Sequence, residues 1–289
     1  MKINIIGAGS MGIVLSYFLH KKNEVVLTVR NGEKKYYDGG LVLWDNGKEE
    51  KFVVRVSEGI EDSDLTIIAV KSYDLQGVYA SYNLKGNVIL IQNGLTHIST
   101  ERDGVLKIYA VTTWASKRLS KGVAELTGKG YFRLGSRSGE IDLRFLRESG
   151  IEAEWVNDIE LELYRKAAIN AVINPITSLF GVKNGQLPRV KELWSIASAT
   201  INELEELFSR MGYRLEVEKN VLETCKVTAD NDSSMLQDIR QGKRTEIDSI
   251  TGELISLGLK NGVDMKTNVF LYDSIKFLQS HQSTKNNNF

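Results

Sequence analysis

The stretch KINIIGAGSMGIVLSYFL, residues 2–19, decides the fold. Its first five residues are mostly β-branched and apolar, and they run straight into glycine. Its second half carries apolar residues at helical spacing. Between them Gly7, Gly9 and Gly12 form a G-x-G-x-x-G. In a strand–turn–helix context each glycine has a task. Gly7 permits the tight turn, Gly9 lets a phosphate approach the backbone, and Gly12 lets helix and strand pack closely. The free N–H groups that open the helix then attract the anion. The competing reading is a glycine-rich turn with a purely structural role.

Outward from this stretch the first half alternates strand and helix. EVVLTV, LTIIAV, NVILI and KIYAVTT are short apolar runs bounded by polar residues or glycine, as buried strands of a mainly parallel sheet require. YFRLG and AEWV are weaker strand candidates after residue 130. From Asp158 onward long helical patterns replace strands, among them ELWSIASATINELEELFSRMG, which stops at Gly212. The expected fold is therefore α/β. A Rossmann-type dinucleotide-binding domain spans 1–157 and an all-helical C-terminal domain spans 158–289. Gly7, Ala8, Gly9, Ser10, Met11 and Gly12 form the expected cofactor loop. The closing QSTKNNNF is polar and expected to fray.

Composition narrows the classes. Lys plus Arg and Asp plus Glu are both 37, so no charge excess argues for nucleic acid or a membrane surface. Cys225 is the single cysteine, which excludes an internal disulfide framework and suits a reducing compartment. The strand beginning at Lys2 leaves no room for a signal peptide, and every apolar stretch is cut short of a membrane span. The expectation is a soluble, cytoplasmic protein.

The second strand leads to Arg30, followed by Asn31, Lys34 and Lys35. An NAD-specific fold usually has an acid at that point, on the ribose hydroxyls. A guanidinium suits a 2′-phosphate instead, so NADP(H) is the expected cofactor. Two further strands end on Lys71 and on Gln92-Asn93-Gly94. Ligands of open parallel sheets bind outside the carboxyl ends of the strands, which makes Lys71 and Asn93 candidates. A strand-end lysine and an Asn-Gly turn are the plainer alternatives.

The helical half carries YRKAAINAVINP, residues 164–175. Steps of four residues turn a helix by about forty degrees, so Lys166, Asn170 and Asn174 form one polar stripe on an apolar helix. In a dry pocket the lysine pKa would fall toward neutrality and permit proton donation, while the amides could hold a carboxylate or hydroxyl. A helix–helix contact is the structural alternative. Pro175 should kink the helix if it continues. The only histidines are His20, His97 and His281, and no HExxH, Cys–His pair or G-x-S-x-G occurs. A metal or histidine-triad hydrolase is therefore not expected.

GAGSMG, VKSYD, QNGL, YRKAAINAVINPIT, VKNGQL and NDSSMLQDIRQGKRTEID occur in the order found in ketopantoate reductases, also called 2-dehydropantoate 2-reductases. The sequence resembles that family over nearly its whole length. The resemblance implies reduction of ketopantoate to pantoate with NADPH, in the route to pantothenate and coenzyme A. By motif it identifies Lys166 as the catalytic lysine and Glu246 as the catalytic glutamate. It identifies Asn93 with a residue beside nicotinamide and substrate. Asn170, Asn174 and Ser234 match substrate contacts, and Asn184 and Asn231 match further polar residues of the pocket. Arg30 matches the 2′-phosphate arginine and Lys71 a cofactor-side lysine.

Ser234 and Glu246 raise a difficulty, since twelve residues of straight helix span about 18 Å. Gly242 predicts an interruption at 240–244. Locally Ser234 also reads as an N-cap, with Gln237 completing a capping box. Rival functions are a reductase of another branched 2-keto acid and an NADP(H) sensor without catalysis. A homodimer through the helical half is compatible with the sequence.

Overall fold

The computed structural model describes residues 1–96 and 104–285; His97 and the last four residues of the polar tail lie outside them. Strands β1 (Lys2–Ile6), β2 (Glu24–Thr28), β3 (Leu41–Asp45), β4 (Lys48–Phe52), β5 (Arg55–Ser57), β6 (Leu65–Ile68), β7 (Gly86–Leu90), β8 (Val105–Thr112), β9 (Ala115–Ser120), β10 (Val123–Gly128), β11 (Phe132–Gly135) and β12 (Ala153–Trp155) build two sheets. The larger runs β12-β11-β8-β7-β6-β1-β2-β5. Its pairings are parallel except between β8 and β11. The smaller runs β4-β3-β10-β9 and is mostly antiparallel.

Helix α1 (Ser10–Leu19) touches β1 and β2 of the large sheet and β3, β9 and β10 of the small one. Contact with both explains its sequence, because a helix that is apolar nearly all round must be covered nearly all round. Ile13, Val14, Leu15, Phe18 and Leu19 are all buried, each contributing about 1.5–3 kcal/mol of transfer free energy. The one polar side chain among them, Ser16, donates back to the Gly12 carbonyl at 2.8 Å. Short helices α2 (Leu75–Ser81) and α3 (Arg144–Arg147) complete this unit.

The chain separates into one unit of Met1–Gln92 with Ser99–Ile159 and another of Asn93–Ile98 with Glu160–Phe289. The second unit is helical: α4 (Ile159–Phe180), α5 (Lys191–Arg210), α6 (Val217–Val227), α7 (Ser234–Arg240), α8 (Glu253–Lys260) and α9 (Lys266–Lys285). Helix α4 continues through Pro175. Helix α5 stops just before Gly212, whose φ is +83°. The start of α9 is capped from α5, where the Glu203 carboxylate accepts the Thr267 and Asn268 N–H groups at 2.7 and 3.0 Å. This satisfies donors that a helix start otherwise leaves open.

The break expected at 240–244 is present. Helix α7 ends at Arg240, Gly242 has φ +64°, and the chain re-enters helix through a π-turn, Asp248–Gly252, that leads into α8. Glu246 therefore does not share a straight helix with Ser234.

Candidate active site

The glycine loop is built for close approach. Gly7 has φ +109°, and its N–H donates to the Thr28 carbonyl at 2.9 Å, which ties the turn to the end of β2. A methyl on Gly12 would stand 1.9 Å from the Gly7 oxygen, whereas one on Gly9 would meet nothing nearer than 3.8 Å. Gly9 opens α1 with no side-chain cap, so the first N–H groups of the helix are available to an anion. Ser10 donates weakly to the Ser116 carbonyl at 3.5 Å, and Ala8 and Met11 pack on the core. These features fit a dinucleotide pyrophosphate.

Around this loop stand the ends of neighbouring strands. Arg30 follows β2, is 74% exposed, and reaches Asp74 with Nη2 to Oδ2 at 2.9 Å. Lys71 follows β6 in extended backbone and opens the turn Ser72–Asp74. Gln92, after β7, donates to the Ile68 and Val70 carbonyls at 2.7 and 3.2 Å and so ties its strand end to that of β6.

In the helical unit a second constellation forms. The amide of Asn93 donates to Glu246 Oε2 at 3.1 Å. Two features hold Asn93 there: the Leu95 N–H donates to the Ser249 carbonyl at 2.8 Å, and Gly94, at φ +88°, lies so close that a methyl would stand 2.3 Å from the same oxygen. Glu246 is buried at 6% exposure. Just beyond it, Asp248 accepts from Tyr272 at 2.7 Å, Lys276 at 2.9 Å and Arg244 at 3.1 Å, which pins the π-turn. Burial pushes the Asp248 carboxyl up, but these bonds outweigh it and hold it below its ordinary value. The bond to Asp248 in turn drives Tyr272 up to about 12.

Lys166 faces the Glu246 charge. The residue as a whole keeps some exposure, but its ammonium is desolvated, and this lowers its pKa to about 8 against the opposing pull of the Glu246 carboxylate. One and two turns on, Asn170 is half-buried and Asn174 buried. Neither side-chain amide has a hydrogen-bond partner among the described residues. From Lys166 to Asn174 the stripe is about 12 Å long. It is a row of donors with one titratable cation at its end, the arrangement that a small anionic carbonyl compound needs.

Further along α4, Thr177 donates to Ser233 Oγ at 2.8 Å. Ser233, not Ser234, is the N-cap of α7, accepting the Leu236 N–H at 3.2 Å. The cap thus lies one residue before the expected Ser234, and Gln237 bonds the Asp232 carbonyl instead of closing a box. The cap falls on the serine that α4 can reach, which leaves Ser234 exposed at the first helical position. Asn184 and Asn231 are joined through the backbone, N–H to carbonyl at 3.0 Å, and Asn184 also donates to Thr228. Asn184 is buried while Asn231 is exposed. Among the described residues no cluster of His, Cys, Asp or Glu could hold a metal.

The family profile described as Ketopantoate reductase PanE/ApbA matches residues 3–139, and that described as Ketopantoate reductase PanE/ApbA C terminal matches 158–279. A 2-dehydropantoate 2-reductase of Archaeoglobus fulgidus is 32% identical over 289 residues, covering 96% of this chain and 98% of the relative. The chain belongs to the ketopantoate reductase family. Among solved structures, a probable 2-dehydropantoate 2-reductase from Bacillus subtilis superposes with TM-score 0.83 at 28% identity, covering 96% of this chain and 100% of that one. D-mandelate dehydrogenase, solved with NADH and anilino(oxo)acetate, gives TM-score 0.88 at 25% identity, with 98% and 100% covered. As a ketopantoate reductase family member the protein is a dinucleotide-binding oxidoreductase.

Three contributors escaped the sequence reading: Asp74 as the partner of Arg30, Ser249 as the seat of the Asn93 loop, and the Thr177–Ser233 bond. Asp74 lies inside the quoted VKSYD. The other two depend on contacts between distant segments, and no local pattern announces them.

Proposed function

We propose that the protein reduces ketopantoate to pantoate with NADPH, and that Lys166 is the proton donor. The observation that carries this is the ammonium of Lys166, lowered to about 8 beside Glu246, at the end of a stripe of unpaired amides. Bound reduced nicotinamide supplies the hydride. Lys166 first stabilises the developing alkoxide by its charge and then gives it a proton, the two effects that an acid with pKa near working pH combines best. The neutral amine regains its proton from solvent. Glu246, steadied by Asn93, keeps the ammonium charged enough to donate. Asn170, Asn174 and Ser234 offer N–H and O–H donors to the substrate carboxylate and hydroxyl, with Asn184 and Asn231 as further polar residues of the pocket. Arg30 would take the 2′-phosphate, and Lys71 would add positive charge on the cofactor side. The names of the relatives support the substrate.

A second reading has an observation of its own: Arg30 is already paired with Asp74, and the structurally similar D-mandelate dehydrogenase was solved with NADH. Under it the protein reduces a different 2-keto acid with NADH. Steady-state oxidation of NADPH and NADH with ketopantoate, 2-ketoisovalerate and pyruvate separates the two. Selective turnover of ketopantoate with NADPH is expected. Turnover of another keto acid alone would keep the chemistry and discard the substrate.

A further inference from the structure

In the large sheet β1 lies between β6 and β2, and all three run parallel. Their carboxyl ends therefore share one edge, with the glycine loop in the middle, Arg30 after β2 and Asp74 after β6. The 2.9 Å contact between Arg30 and Asp74 bridges the two outer ends beside the loop. The carboxylate is the more sheltered partner at 34% exposure, and the guanidinium projects at 74%. Neighbouring acids are otherwise engaged: Glu33 pairs with Lys121 at 2.9 Å, and Glu58 accepts the Lys34 N–H at 3.1 Å.

We propose that Asp74 tunes the cofactor preference: its charge competes with the 2′-phosphate of NADPH for Arg30 and so narrows the preference for NADPH over NADH. This rests on the reading of Arg30 as the 2′-phosphate arginine. A 2′-phosphate drawn to the guanidinium comes within several ångströms of the carboxylate, and like charges at that range repel appreciably in a partly sheltered site. A 2′-hydroxyl in the same position meets no such repulsion, and a carboxylate can accept its hydrogen bond. An arginine held by an acid is thus a weaker phosphate selector than a free one.

Titration calorimetry with NADP+ and NAD+ on the whole protein tests this, alongside kcat/KM for both reduced cofactors. Asp74→Asn keeps the shape and removes the charge. It is expected to tighten NADP+ about tenfold while NAD+ changes little, an effect that shrinks as salt is added. An unchanged or reduced ratio of NADP+ to NAD+ affinity overturns the proposal. Arg30→Ala separates it from the reading beneath. If Arg30→Ala weakens NADP+ selectively while Asp74→Asn does nothing, only the role of Asp74 is lost. If Arg30→Ala leaves both affinities unchanged, the arginine reading falls and the proposal with it.

Discussion

A lysine with a pKa of about 8 leaves a signature in rate against pH. As the proposed donor, Lys166 must be protonated, so kcat/KM for keto-acid reduction should hold below about pH 8 and then fall about tenfold per unit above it. The neighbouring carboxylate raises the lysine pKa, so Glu246→Gln should move this limb to lower pH. A limb that stayed put, or moved upward, would remove Glu246 from the electrostatics of the donor. Lys166→Met should cost a factor of about 10²–10⁴ in kcat while cofactor affinity, measured by calorimetry, stays unchanged. A loss under tenfold would mean that the proton comes from elsewhere.

At the scale of elements, the decisive join is the Asn93-Gly94-Leu95 loop on the π-turn. Gly94→Ala puts a methyl 2.3 Å from the Ser249 oxygen in a left-handed backbone. It should cost about 1–3 kcal/mol in urea unfolding, together with most of kcat, because Asn93 then loses its hold on Glu246. Gly212→Ala is the control: φ is +83° but nothing lies within 4 Å of the added methyl, so about 1 kcal/mol of stability should go with turnover intact. What could be read beforehand follows the same divide between local and distant. The β1–loop–α1 unit and the break at Gly242 are local, set by consecutive residues, and both were legible. The small sheet was not, because β4 is KEEKF and β9 is ASKRLS. Such charged, largely exposed strands have little of the apolar alternation that marks a half-buried one. The Asn93–Glu246 bond spans 153 residues; the strand end pointed to Asn93 and the resemblance to Glu246, but no spacing rule could have paired them. Ser233 and Ser234 are adjacent and chemically identical, so no local pattern says which one caps; in the fold it is Ser233, which also meets Thr177.

For the whole molecule, the glycine loop predicts a link between cofactor and stability. NADPH at about a hundred times its Kd should add about 2.7 kcal/mol to unfolding, seen as a rise in Tm. Gly12→Ala should abolish that rise, since its methyl would sit 1.9 Å from the Gly7 oxygen and push α1 off the loop. Arg30→Ala should reduce it for NADPH and leave it unchanged for NADH. The short piece at residues 93–95, seated on Glu246 and Ser249, also bears on how such a chain is made and remade. On the ribosome this short piece is synthesised early and must wait for Glu246 and Ser249 to emerge before it can find its seat, so the helical unit matures only near the end of translation. The same holds for recombination: a graft of residues 160–289 onto another Rossmann unit would import Glu246 and the π-turn without the asparagine that holds them. A working chimaera has to carry residues 93–95 along as a second, separate insert.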